Sequence, residues 1–152
     1  MKKRCGILMV LLCTILNTNA QNTASYNEAL AKKTGADDYG MKQYVIAFLK
    51  KGTGNITDTA KISKLLAAHM SNMGKLAADG KLLLAGPMMD DTGLEGIFVF
   101  NVKTVEEAAL LGQTDPAVKA KLFSIEYHPW YATAALMEVV GLHATLQKKK
   151  FR

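Results

Sequence analysis

The pattern that organises the chain is the run Tyr44-Val45-Ile46-Ala47-Phe48-Leu49, apolar at every position and rich in β-branched and aromatic residues. It is too short for a typical helix and is closed by the turn Lys51-Gly52-Thr53-Gly54, so residues 43–50 predict a first strand. Beyond the turn, Ile62, Leu65, Leu66, His69, Met73 and Leu76 recur at helical spacing. Thr57 or Asp58 serves as N-cap and Gly80 as the stop of a long first helix. Residues 81–87 predict a second strand, and after the loop 88–95 a third covers 96–101. Thr104-Val105-Glu106-Glu107 is a capping box, Thr at the cap and Glu three residues later, opening a second helix that ends near Gly112. Asp115-Pro116 starts a short helical turn, and residues 122–128 predict a fourth strand that Pro129 ends.

Strand, helix, strand, strand, helix, strand is the order of two split βαβ units. It predicts an α+β chain folded as a ferredoxin-like βαββαβ plait, a four-stranded antiparallel sheet with both helices on one face. The strands carry a second message. In the first, Tyr44, Ile46 and Phe48 alternate with Val45, Ala47 and Leu49, and in the third Ile97 and Val99 alternate with Phe98 and Phe100, so both faces are apolar. Two helices cover one face, and an antiparallel sheet with a solvated second face would alternate with polar residues. The simplest cover is a second copy of the chain, sheet against sheet, which predicts a homodimer. The alternative is the C-terminal segment folding back, with Leu136, Val139, Val140, Leu142 and Leu146 available.

Charge changes this picture only at the ends. The formal net charge of +6 comes from 19 basic and 13 acidic residues, but Lys2, Lys3, Arg4, Lys148, Lys149, Lys150 and Arg152 lie at the termini. The body between them carries 12 basic against 13 acidic residues, with no Arg at all. A nucleic-acid surface needs Lys and Arg clustered on a folded face, so no nucleic-acid partner is expected. Residues 1–20 read as a secretory signal: a basic start, an apolar stretch from Ile7 to Leu16, and a small-residue exit at Thr18-Asn19-Ala20. The stretch is well short of the roughly 20 residues that span a bilayer, so no stable membrane insertion is expected after processing. The expectation is an exported protein, periplasmic or secreted, with 21–40 as a linker holding a short helical possibility from Tyr26 to Lys33. A domain over 41–131 and a C-terminal helical extension with a basic tail over 132–152 follow. Both cysteines, Cys5 and Cys13, fall inside the leader, so the exported chain has no thiol chemistry.

Among residues that carry chemistry, His69 stands out because the gaps from Ile62 through Leu66, His69, Met73 and Leu76 put its imidazole on the stripe facing the sheet. A polar ring there needs a partner: a backbone carbonyl in the bland reading, a catalytic group in the other. Asp115 before Pro116 is a favoured N-cap before a favoured first helical residue, a structural role sufficient in itself. Asp90 and Asp91 form a solvated turn after Gly86-Pro87, or a carboxylate pair able to bind a cation or orient a substrate. Glu126 and His128 share one face of the fourth strand, and His143 reads as surface. No His and carboxylate set has metal-site spacing and no phosphate-binding loop is present, so no metal and no cofactor are expected.

Several short motifs together resemble the YciI-like (YCII-related) family. They are Tyr44-Val45-Ile46, His69, Gly80-Lys81-Leu82, Leu84-Ala85-Gly86-Pro87, Asp90-Asp91, Gly96, Glu106-Glu107-Ala108, Asp115-Pro116 and Glu126-Tyr127-His128-Pro129. The resemblance implies a plait dimerised as an α+β barrel and a His-Asp dyad, whose matching residues are His69 and Asp115. It also implies proton shuttling on small cyclic substrates, as in a dehydrochlorinase of a chlorinated hydroquinone and in muconolactone isomerisation. The expectation is a cofactor-independent lyase or isomerase on a small organic acid or oxygenated ring, with Gly86, Pro87, Asp90, Asp91, Glu126 and His128 as substrate-binding residues. The alternative is a non-catalytic small-ligand binding or assembly module. The chain departs from the pattern in its leader, its linker and its C-terminal extension.

Overall fold

The computed structural model describes residues 25–149; the expected leader with Cys5 and Cys13, the first residues of the 21–40 segment, and residues 150–152 lie outside them. Four strands, β1 (Met41–Lys51), β2 (Leu82–Pro87), β3 (Leu94–Phe100) and β4 (Phe123–Thr133), form one antiparallel sheet in the order β2-β3-β1-β4. With α2 (Thr59–Ala78) between β1 and β2, and α3 (Val105–Gly112) and the short α4 (Pro116–Lys119) between β3 and β4, this is the ferredoxin-like plait. A further helix, α1 (Glu28–Thr34), precedes the sheet, and a 3₁₀ turn (Ala134–Glu138) leads into α5 (Val139–Leu146) after it. No helix among the described residues is long and apolar enough to cross a membrane.

The local signals act as their chemistry dictates. The Asp58 carboxylate accepts from the amides of Ala60 and Lys61 and starts α2. Gly80, at φ +66°, takes the left-handed turn that ends it. Thr104 and Glu107 make both bonds of the capping box.

The two apolar sheet faces separate cleanly. Val45, Ala47, Leu49, Phe98 and Phe100 pack with Leu76 and Ala108 under the helices. On the other face Tyr44, Leu83, Val99 and Ala132 form a second cluster, joined by Leu136, Met137 and Val140 of the C-terminal segment. The segment therefore covers part of that face. Ile46, Phe48 and Ile97 stay half-buried, and Leu84 and Trp130 stay exposed.

Two local expectations need correction. Pro129 does not end the last strand, which runs on to Thr133, with Pro129 opposite Val45. β4 is an edge strand, where a residue lacking an N–H interrupts no ladder on its outer side. On α2 the buried stripe passes through Leu65 and not Leu66, which is exposed: at about 100° per residue Leu65 lies about 30° around the helix from the mid-direction of buried His69 and Leu76, and Leu66 about 70°.

Candidate functional site

His69 and Leu76 are the buried residues of α2, and the His69 ring enters the layer between helices and sheet. The partner it requires is Asp115, 46 residues away in sequence, whose Oδ2 is hydrogen-bonded to His69 Nδ1. Oδ1 of the same carboxylate accepts the Ala117 amide at 2.8 Å and caps α4, with Pro116 in its first turn. One oxygen of Asp115 thus meets His69 while the other caps α4. The loop carrying Asp115 is tied down twice more: its amide bonds to Gly112 O at 3.1 Å, and the Thr114 hydroxyl reaches Asn72 Oδ1, one turn along α2 from His69, at 3.0 Å.

His69 is 7% exposed and Asp115 2%, so the pair sits out of bulk water. An ionised carboxylate only accepts, so against it Nδ1 carries the hydrogen, and in the neutral imidazole Nε2 is left as an acceptor. Nε2 has no partner among the described residues, and no buried side-chain nitrogen or oxygen among them is unpaired. Nε2 is therefore the edge of the ring that solvent, or a substrate, can touch.

Apolar walls surround the ring. Its centroid lies 6.0 Å from that of Phe98 and 5.3 Å from that of Phe123. Phe123 is held in place where β4 begins: Gly52 donates to Leu122 O at 2.8 Å, and a Cβ on Gly52 would fall 2.1 Å from Lys121 O. Only glycine permits that approach. Along the helix-facing side of the sheet, Ala85, Phe98, Ala47 and Tyr127 form one row across the four strands. The Tyr127 phenol is pushed up to about 12, first by burial and then by the charge of Asp115. It packs against Gly112, where a Cβ would fall 1.9 Å from its hydroxyl oxygen. Tyr127 is a neighbour of the dyad that sequence reasoning left unassigned, although its alternation with Glu126 and His128 puts it on the opposite face from them.

Among the described residues, the other expected ones make no hydrogen bond to His69 or Asp115. Gly86 and Pro87 end β2, opposite Ile97 and Gly96. Pro87, Gly96, Leu49 and Ile125 share a row at the sheet end that carries Phe123. Asp90 and Asp91 are exposed in the following loop, and Asp90 accepts from the Thr92 hydroxyl at 2.8 Å. Glu126 and His128 lie on the face turned away from the helices, where the Glu126 carboxylate takes hydrogen bonds from Lys50 and from His128 Nε2, the latter at 2.7 Å. These bonds, Lys50 first, hold Glu126 below the usual carboxylate range.

Residues 43–131 match the YCII-related domain family. The chain is similar to the uncharacterized protein YjpA of Bacillus subtilis, 32% identical over 65 residues that cover 43% of this chain and 74% of that protein. Among solved structures it is similar to a 5-chloro-2-hydroxyhydroquinone dehydrochlorinase from Burkholderia phenoliruptrix, in complex with 2,5-dihydroxybenzoquinone. That match has 21% identity and a TM-score of 0.41, covering 57% of this chain and 92% of that one.

Proposed function

This chain belongs to the YCII-related domain family, and from that premise we propose that it is a cofactor-independent proton-transfer enzyme of lyase or isomerase type, acting on a small organic acid or oxygenated ring. The observation that carries the proposal is the buried His69–Asp115 pair with Nε2 left open. His69 Nε2 takes a proton from a carbon next to a carbonyl. Asp115 holds the ring in the tautomer that can accept there, and stabilises the imidazolium that forms. The proton then returns to a different carbon, an isomerisation, or the electron pair expels a leaving group, an elimination. Tyr127 keeps its proton at neutral pH, so it adds no second negative charge beside Asp115.

A test that needs no known substrate is deuterium exchange into a set of cyclic enones and keto acids, followed by proton NMR. Wild type is expected to accelerate exchange of at least one compound, His69→Gln to lose at least a hundredfold, and Asp115→Asn to lose activity while still capped. Equal rates for wild type and His69→Gln throughout would defeat the proposal. The reading of a binding or assembly module is favoured by one observation, the double use of Asp115 as cap and partner, which gives the pair a structural reason to exist.

Export and self-association belong to the same proposal. The basic, apolar and small-residue order of residues 1–20 supports a processed leader, and intact mass of the exported protein should show a chain starting at Gln21. Half-buried Ile46, Phe48 and Ile97 on the face that the C-terminal segment leaves open support a homodimer. Light scattering should find two copies, and a stable monomer would remove that part.

A further inference from the structure

An open groove of about 740 Å³ lies at the other end of the sheet from Phe123, where β1 begins and β4 finishes. Phe123 and Tyr131 are eight residues apart on β4, so the groove is on the order of 25 Å from the His69 layer at the rise of an extended strand. Its volume is within the range of small-molecule sites.

The charged groups lining it are Asp37, Lys42 and Lys103. Asp37 is committed: its carboxylate takes the Tyr131 hydroxyl and the amides of Tyr39 and Met41, which hold it below its ordinary value. Neither lysine has a carboxylate within ion-pair distance among the described residues. Lys42 Nζ is anchored by weak partners, Thr34 O at 3.2 Å and Met137 Sδ at 3.4 Å, and sits 6.0 Å over the Tyr44 ring. Those contacts fix the ammonium in place without neutralising it, and leave one of its three N–H groups free. Burial first, and then the nearby charge of Lys103, push the Lys42 ammonium below its ordinary value. Beside them Trp130 and Tyr131, 36% and 54% exposed, offer aromatic surface to the same groove.

We propose that this groove binds a small aromatic carboxylate, its anionic end between Lys42 and Lys103 and its ring against Trp130. The groove sets two ammonium groups against one carboxylate that is already hydrogen-bonded, so an anion there supplies the missing counter-charge, and a flat ring suits the indole better than a hydrated inorganic ion does. The site is distinct from the His69–Asp115 pair and does not depend on the activity proposed for it.

Trp130 is the only tryptophan of the chain, so its fluorescence reports from the groove alone. Titrating the full-length protein with benzoate should give a saturable change in emission, whereas benzyl alcohol, of similar shape and no charge, should give none. Lys103→Gln, at an exposed position outside the helices and strands, should weaken benzoate at least fivefold, and Lys42→Gln at least tenfold, with circular dichroism unchanged. His69→Gln should bind benzoate as wild type does. Absence of saturation by benzoate, equal affinity for benzyl alcohol, or wild-type affinity in Lys103→Gln would each overturn the proposal.

Discussion

Replacing Asp115 separates two jobs that one carboxylate performs. Asp115→Ala removes the cap bond to the Ala117 amide, worth about 1 kcal/mol and up to about 2. It also strips His69 of its Nδ1 partner inside a layer where that residue is 7% exposed. A buried donor left unsatisfied costs about 1–3 kcal/mol, so the alanine variant should lose about 2–4 kcal/mol in all. Asp115→Ser keeps an oxygen for the Ala117 amide and is too short to replace the bond to His69, so it should recover about 1 kcal/mol of that loss. The assay is urea denaturation at neutral pH followed by circular dichroism, with the slope checked for constancy across variants. Adding His69→Ala to Asp115→Ala closes a cycle in which the two losses should not add, because the second substitution removes the group that the first left unpaired. An alanine variant within about 0.5 kcal/mol of wild type, well below the smallest cost expected for the two bonds together, would refute the reasoning. So would strict additivity in the cycle.

Gly112→Ala puts a Cβ against the Tyr127 hydroxyl and should cost about 1–3 kcal/mol by overpacking, with part of the loss recovered in Gly112→Ala/Tyr127→Phe; thermal unfolding of both variants beside wild type checks this. Raising the pH through the window from about 10 to about 12 should lower stability, because the unfolded chain ionises Tyr127 near 10 and the folded chain holds its proton to about 12. For a half-exposed group the effect is of order 1 kcal/mol, and Tyr127→Phe should flatten that part of the profile. Ending the chain at Thr133 removes Leu136, Met137 and Val140 from the second apolar cluster, together with the buried Ala134, and should cost about 4 kcal/mol in urea denaturation, at roughly 1 kcal/mol for each of these side chains. Unchanged stability would mean that the segment is not the cover.

The element order was legible because each boundary carries its own chemistry: Asp58, Gly80, the Thr104–Glu107 box and Asp115-Pro116 all act within a few residues of themselves. His69 was legible as a polar ring on an apolar stripe, a local conflict that demanded a partner. Which partner it takes is a contact across 46 residues, and the cap signal at Asp115 pointed to a local role without excluding the distant one. The continuation of β4 past Pro129 could not be read from local sequence, since it depends on β4 lying at the sheet edge. The assignment of the two faces was equally hidden, because Tyr44-Ile46-Phe48 and Val45-Ala47-Leu49 are matched in hydrophobicity and only the packed helices break the tie. Tyr127 lay inside a recognised motif, yet its closeness to Asp115 arises from the return of β4 beside β1.

The central claim is that Asp115 holds the His69 ring with its hydrogen on Nδ1 and its lone pair on Nε2. Long-range proton–nitrogen NMR on uniformly ¹⁵N-labelled protein reads that tautomer directly. In wild type at neutral pH, His69 should show the Nδ1–H form, with a far-downfield proton on Nδ1 that disappears in Asp115→Ala. In Asp115→Asn the amide group should be able to donate to Nδ1 and turn the ring to the Nε2–H form. An Nε2–H tautomer in wild type, or the same His69 spectrum in all three proteins, would contradict the claim.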